Sequence, residues 1–464
     1  MRVRLAGVAV LAVLAAGCGG GGGGSASSDA DSIVPRDALA YVTIDTDTSS
    51  GQVASALKIL KKFPIEPRAE RQLRASISQG GVNFNTITKS AGSQVDLAVL
   101  TVDGRPTPVG FAKPSDEKAF DAQLDQNQAK HEKTDGWTVF ADKQAALDAV
   151  SNRKGDLAGD ATYQAAIKSL PADAIARFYG SSAAQGVVLN EAAKQNLPAS
   201  SLGTLGKAQW FTGALTSDNG AFKLEVHTKN AKTQVLSQHN PLVGRIPSGS
   251  IVALALNGGG ATKSLPAATQ EQLSMLGQQL GVDLPGLISV LNGPVIAYVR
   301  PGIPLPEVTI AARPAQPANA SSAVGSLLAR FANGKKGVAT KVDGGTLNKL
   351  DLGPIALYYG VNDGELVVTD SSNALAELNG SVGRLSGDDV FKEAKEGAGM
   401  TDSAQTFLFV DIKDALPALS GFAQLANQNL PPEVENNLRP LRSALLYGSS
   451  DSSIGSFVAY VKTS

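Results

Sequence analysis

Hydrophobic and polar residues alternate in short runs along most of this chain, and proline, glycine or aspartate bounds each run. VPRDALAYVTIDT at 34–46 and IPSGSIVALALNG at 246–258 both lead from a proline turn into alternating apolar positions. Successive side chains of a strand point to opposite faces, so a two-residue period predicts half-buried strands. Apolar residues at helical spacing predict helices at 53–62, at 66–78 and around 416–428. Within each half the expected order is strand, helical stretch, two strands, helix, strand, helices, strand, further helix and hairpin. Adjacent strands outnumber what a doubly wound sheet would place between helices. The expected class is therefore α+β, with a mostly antiparallel sheet and packed helices in each lobe.

The pattern is written twice. GVNFNTITKSAGSQVDLAV at 81–99 aligns without gaps on GVDLPGLISVLNGPVIAYV at 281–299, a shift of 200 that persists to Pro114 and Pro314. VFADKQAALDAVSNRKGDLAGDATY at 139–163 pairs with VVTDSSNALAELNGSVGRLSGDDVF at 367–391, a shift of 228 with eight identities. GALTSDNGAFKLEVHT at 213–228 pairs with GSSDSSIGSFVAYVKT at 448–463, shifted by 235. With the two proline-led strands these make four colinear matches, which predict a tandem duplication: lobe 1 at 33–230 and lobe 2 at 246–464. The boundary falls in the aperiodic stretch 228–245, and each copy closes on a hairpin turn rich in Asp, Asn, Ser and Gly. A tandem arrangement predicts one crossing between the lobes.

The N-terminus follows another pattern. Arg2 and Arg4 precede twelve apolar residues, Leu5–Ala16, and small residues lead to Cys18. Twelve is short of the roughly 20 a membrane-spanning helix needs and fits a secretory h-region. The stretch 1–17 resembles a bacterial lipoprotein signal peptide, with Ala15, Ala16, Gly17 and Cys18 in the lipobox positions. It departs from the pattern in one place: the favoured leucine stands one position early, at Leu14. That resemblance implies a diacylglycerol thioether on Cys18, a new N-terminus there, and an acyl chain such as palmitate on its amine. Two chains with roughly 15 buried methylenes each, at about 0.8 kcal/mol per methylene, supply on the order of 20 kcal/mol, a permanent anchor. Gly19–Gly24 and SASSDADS complete a lipidated Cys and Gly/Ser tether at 18–32, with a flexible reach of roughly 20 Å.

Composition narrows the classes. The 464 residues carry 41 basic and 42 acidic side chains with no polybasic block, so no nucleic-acid partner is expected. A single cysteine excludes an internal disulfide and any multi-cysteine metal site, and His131, His227 and His239 lack metal-ligand spacing. No metal and no cofactor is expected. The lipoprotein-type start followed by VPRDALAYVTIDT in a duplicated unit resembles the bacterial envelope proteins grouped as domain-of-unknown-function family 3352, over residues 33–464. That resemblance implies an envelope location and brings no catalytic residues with it.

Candidate chemistry is sparse. Asp142, Asp160, Asp370 and Asp388 recur as matched pairs, the pairing that acid and base carboxylates of an active site would need. Each, however, stands just before a helical run and is expected to cap it. NGGGATKS at 257–264 has Asn257 and Thr262 where a Walker loop needs glycine, and LGTLGKA at 202–208 has Ala208 where it needs a hydroxyl. No GxSxG occurs. Trp137 and Trp210 head strands near turns, where aromatics stack on sugars or, more commonly, pack into the core. The leading expectation is a non-enzymatic binding or scaffolding protein, held to the membrane by lipid on Cys18 at the extracytoplasmic face, with an envelope protein or polymer as partner. The rivals are a solute-binding lipoprotein of a transporter and an envelope-polymer hydrolase.

Overall fold

The computed structural model describes residues 30–64, 90–184, 186, 208–230, 240–257, 275, 292–302, 305–353, 355–404, 406–425, 429–451 and 453–464. Cys18, most of the tether, the expected helix at 66–78 and His239 lie outside them. Among the described residues, eighteen strands and nine α-helices make an α+β protein whose strands form one large antiparallel sheet. The chain divides into two compact units, the first holding residues 1–233, 452–458 and 463–464, the second residues 234–451 and 459–462. The main division falls inside the expected boundary stretch. The single crossing expected of a tandem repeat does not describe the grouping, because the last strand contributes to both units.

The first unit runs β1 (Ala40–Asp45), α1 (Gly51–Leu60), β2 (Gln94–Val102), β3 (Arg105–Ala112), α2 (Glu117–Gln126), β4 (Lys130–Thr134), β5 (Trp137–Ala141), α3 (Gln144–Ser151), α4 (Ala161–Ile167), β6 (Ala176–Ser181), β7 (Ala208–Asp218) and β8 (Ala221–Asn230). Its strands lie in the order β4-β5-β3-β2-β1-β6-β7-β8. Local chemistry makes three of the hairpins. Asp103–Gly104, Asp135–Gly136 and Asn219–Gly220 all have positive φ at both positions, the turn whose twist matches its flanking strands. One face of the sheet carries Ala98, Leu100, Val109, Phe111 and Val139 against Leu147 and Val150 of α3 and Tyr163 of α4. The other packs Phe120 and Leu124 of α2 on Ala112, and Ala56 of α1 on Leu215.

Residues that the sequence assigns to the tether are part of the first core. Ala30, Ile33 and Val34 are buried in the first core, so residues 30–32 of the expected tether belong to the fold.

The second unit runs β9 (Val252–Asn257), β10 (Pro294–Arg300), β11 (Glu307–Ala312), α5 (Pro317–Phe331), β12 (Val338–Val342), β13 (Gly345–Asp351), β14 (Ala356–Asn362), β15 (Glu365–Thr369), α6 (Ala374–Leu378), α7 (Asp389–Ala398), β16 (Thr406–Asp411), α8 (Ile412–Leu425), α9 (Pro432–Leu438), β17 (Leu441–Asp451) and the shared β18 (Ile454–Thr463). Its strand order is β12-β13-β14-β15-β11-β10-β9-β16-β17. Ala320 and Val324 of α5 pack on Leu350, Tyr359 and Leu366. Phe391 of α7 lies with its ring centre 5.7 Å from that of Phe407 and 5.1 Å from that of Phe409.

Candidate functional site

The paired aspartates divide into two kinds. Asp160 accepts hydrogen bonds from the backbone N–H groups of Thr162 and Tyr163, at 2.8 and 2.9 Å, and caps α4. Asp388 does the same for α7, taking Val390 N–H at 3.0 Å and Phe391 N–H at 3.4 Å. These two fit the capping expectation.

Asp142 and Asp370 do not. The cap position of α3 is Lys143 and makes no side-chain bond, so Asp142 stands one residue too early and is exposed. A capping side chain reaches the second and third helical N–H groups only from the residue directly before the helix. Asp370 lies three residues before Asn373, the cap position of α6. Its carboxylate instead accepts Val308 N–H at 2.7 Å, tying the end of β15 to β11, and burial raises its pKa against that hydrogen bond. Asp160→Ala and Asp388→Ala should each lower the melting temperature of their unit by about 2–4 °C, for a cap worth about 1 kcal/mol. Asn at either position should do less harm, and Asp142→Ala should leave the melt unchanged. Calorimetry of the single variants checks the set.

Two described histidines have partners that sequence could not pair. His131 on β4 places Nε2 3.1 Å from Asp125 and Nδ1 3.9 Å from Asp121, both on α2. His227 on β8 places Nδ1 2.8 Å from the Ser456 hydroxyl, which belongs to the first unit. A serine–histidine relay needs the far ring nitrogen held by a carboxylate or carbonyl. His227 Nε2 is buried without a hydrogen-bond partner, and burial lowers the pKa of the ring against the opposing pull of Glu225. Among the described residues the pair therefore lacks the orienting group that a relay needs.

Trp137 and Trp210 are each 2% exposed and share one core, so neither ring offers a stacking face. Lys113 Nζ lies 4.3 Å from the Trp137 ring centre and covers it. Of NGGGATKS only Asn257 is described, and of LGTLGKA only Ala208.

Among the buried acids that the sequence did not mark are Asp96 and Glu365. Asp96, fully buried on β2, accepts the Tyr41 hydroxyl at 2.6 Å and the Ala30 backbone N–H at 2.7 Å on one carboxylate oxygen. Gln94 Nε2 donates to the other at 2.7 Å. Asp96 thus ties Ala30 and β1 to β2. A signal for it exists in QVDLAVLTV, where Asp96 occupies the inward position of a strand whose next inward residues are Ala98, Leu100 and Val102.

Glu365, 3% exposed, is the second. It accepts Arg313 Nε at 2.9 Å and Nη2 at 2.7 Å on one oxygen, and pairs with Arg245 on the other. Arg245 also donates to Leu378 O at 3.1 Å and Asn379 Oδ1 at 3.0 Å. These charges join the segment before β9 to β11, β15 and the end of α6. Among the described residues, no cluster of three or more metal-ligating side chains occurs.

No protein-family model matches the chain, and no curated protein matches it. Among solved structures the chain is similar to crystal form IV of TP0453, of Treponema, with a TM-score of 0.25 and 14% identity over 47% of this chain and 79% of that one. Crystal form III of TP0453 is similar with a TM-score of 0.26 and 11% identity over 46% of this chain and 83% of that one.

Proposed function

We propose that this protein is a lipid-anchored, extracytoplasmic component of the bacterial envelope, with a binding or scaffolding role and two copies of one α+β unit. The observation that carries the anchor is the N-terminal pattern: Arg2 and Arg4, a twelve-residue apolar run, and Cys18 as the one thiol of the chain. No described helix is long and apolar enough to cross a membrane. The architecture suits a tether, because the Asp96 clasp on Ala30 N–H transfers pull on the N-terminal segment to the centre of a sheet. The recurring acids Asp160 and Asp388 are engaged as caps, which supports a non-enzymatic role.

Strand register supports duplication. Ala40 lies opposite Val99, and Val252 opposite Val299. Val95 lies opposite Ala112, and Val295 opposite Ala312. Phe111 lies opposite Val139, and Ala311 opposite Val367. Those positions differ by 212, 200 and 228, the shifts read from sequence. The isolated bridges Pro35–Asp156 and Pro247–Arg384 keep the same differences of 212 and 228.

The last hairpin departs from its alignment. Tyr41 lies opposite Tyr179 and Ala253 opposite Phe409, so 179 answers to 409; Thr212 lies opposite Tyr179 and Leu445 opposite Phe409, so 212 answers to 445, a difference of 233 and not 235. A slip of two residues leaves every side chain on its face, which is why alternation alone did not detect it.

Cys18→Ser, followed by cell fractionation, tests the anchor. The variant should leave the membrane fraction and lose the mobility and mass of the acylated form. A membrane-bound, fully processed Cys18→Ser protein would overturn the reading.

A further inference from the structure

The shift between corresponding strands grows from 200 at β3 and β11 to 228 at β5 and β15, so the second unit carries 28 added residues. His131 opposite Phe140 and Tyr359 opposite Val368 keep the difference of 228, so β14 answers to β4. The addition is therefore the β12–β13 hairpin and the end of α5 that feeds it. The first unit completes the same strand order without it. An element that the fold itself does not need is a place to look for function.

Its chemistry is one-sided. Between Glu307 and Asp343 the sequence has no acidic residue, and it has Arg313, Arg330, Lys335, Lys336 and Lys341. Arg313 is engaged with Glu365. Arg330, Lys335, Lys336 and Lys341 are all exposed, and none pairs with a described acid. Among them stand the two most exposed large hydrophobic residues described, Phe331 at 77% and Val338 at 70%.

The loop between them is held by local structure. Gly334 N–H donates to Ala329 O at 2.8 Å, and Asn333 and Gly334 take positive φ, which closes the helix end. Ala332 is buried, and a Cβ at Gly337 would lie 2.8 Å from the Tyr359 ring. Ala332 and Gly337 thus face the body of the unit, and Phe331, Lys335, Lys336 and Val338 face solvent.

We infer that this tip, residues 330–341, docks on an anionic phospholipid surface. Charge complementarity selects the occupant: four unpaired cations suit a sheet of phosphates, and an exposed aromatic among them suits the headgroup boundary. The same chain has a net charge of −1, so the positive field belongs to this tip and not to the whole molecule. Lysines on an edge strand also discourage pairing with another chain, and β12 pairs on one side with β13. That role alone leaves Phe331 and Val338 without a reason to be exposed. The inference rests on the anchored reading only for bringing the chain within reach of a bilayer.

The test uses the full chain carrying Cys18→Ser and Phe331→Cys, so that one thiol, at the tip, takes an environment-sensitive fluorophore. Vesicles containing phosphatidylglycerol should shift its emission to the blue and brighten it several-fold, and raised salt should reverse the change. Pure phosphatidylcholine vesicles should leave the spectrum alone. Lys335→Ala with Lys336→Ala should raise the half-saturating lipid concentration roughly 25-fold, about fivefold for each charge. Because all three positions are exposed, circular dichroism melts should match those of the parent.

The inference is overturned by a spectrum that phosphatidylglycerol vesicles leave unchanged, by an equal change with both kinds of vesicle, or by a change produced by polyglutamate and not by lipid. A shift that grows with protein concentration in the absence of lipid also overturns it, in favour of a second copy on the β12 edge. Since Cys18 is already removed, any of these outcomes leaves the anchor to its own fractionation test.

Discussion

Asp96→Ala should lower the melting temperature of the first unit by about 10 °C. The substitution leaves the Tyr41 hydroxyl and the Ala30 N–H buried without their acceptor. Each orphaned donor costs about 1–3 kcal/mol, and at this size 1 kcal/mol moves the melt by about 2–4 °C. Hydrogen exchange should localise the damage, with protection lost in peptides covering 30–45 and 94–102 and kept in the second unit. The alternative to a hydrogen-bonded acid at this site is an apolar pair. Ile296, which occupies the corresponding inward position of β10, is fully buried. Asp96→Ile should therefore be nearly as harmful as Ala while Tyr41 keeps its hydroxyl. Adding Tyr41→Phe should recover part of the loss, since removing both partners costs less than removing one. If Asp96→Ile with Tyr41→Phe melts lower than Asp96→Ile alone, the carboxylate has some role other than receiving that hydroxyl.

Glu365→Ala should destabilise the second unit by about 3 kcal/mol. Breaking a buried ion pair by deleting one partner costs roughly 3–5 kcal/mol, because the remaining charge is left uncompensated. Here the low end applies. The side chains of Arg245 and Arg313 are 24% and 45% exposed, so both freed guanidinium groups reach water. Glu365→Gln keeps an acceptor without the charge and should cost less than Ala. Denaturant titration followed by exchange mapping should place the loss at 245, 313 and 378, where the carboxylate gathers segments far apart in sequence. Equal stability of Ala and wild type would show that the three side chains pack there without net attraction.

These two acids show how differently a sequence reveals its buried charges. Asp96 was legible in principle: it interrupts the inward series of a strand at a position where alternation calls for an apolar residue. Glu365 was not, because its partners lie 120 and 52 positions away and nothing local marks them. The same contrast divides the repeated aspartates. Asp160 and Asp388 directly precede their helices, so a short-range rule finds them. Asp142 and Asp370 look alike in a string of letters, and only the helix start, set by packing, shows that they stand too early.

By itself, then, the sequence determined what neighbouring residues decide: the strand alternation, the Asp–Gly and Asn–Gly hairpins, the α+β class, and a lone cysteine placed after an apolar run. Each follows from backbone sterics or side-chain period, which act over a few residues. On the proposed duplication, it also carried three of the four shifts between the matched segments, since those were preserved in alternating strands. Tertiary structure decided the rest: the two-residue slip in the last hairpin, the His227–Ser456 contact across 229 positions, and the inclusion of Ala30 in the core. Such pairings depend on the register and path of the whole intervening chain. A two-residue slip leaves the apolar pattern unchanged, so the pattern does not encode it.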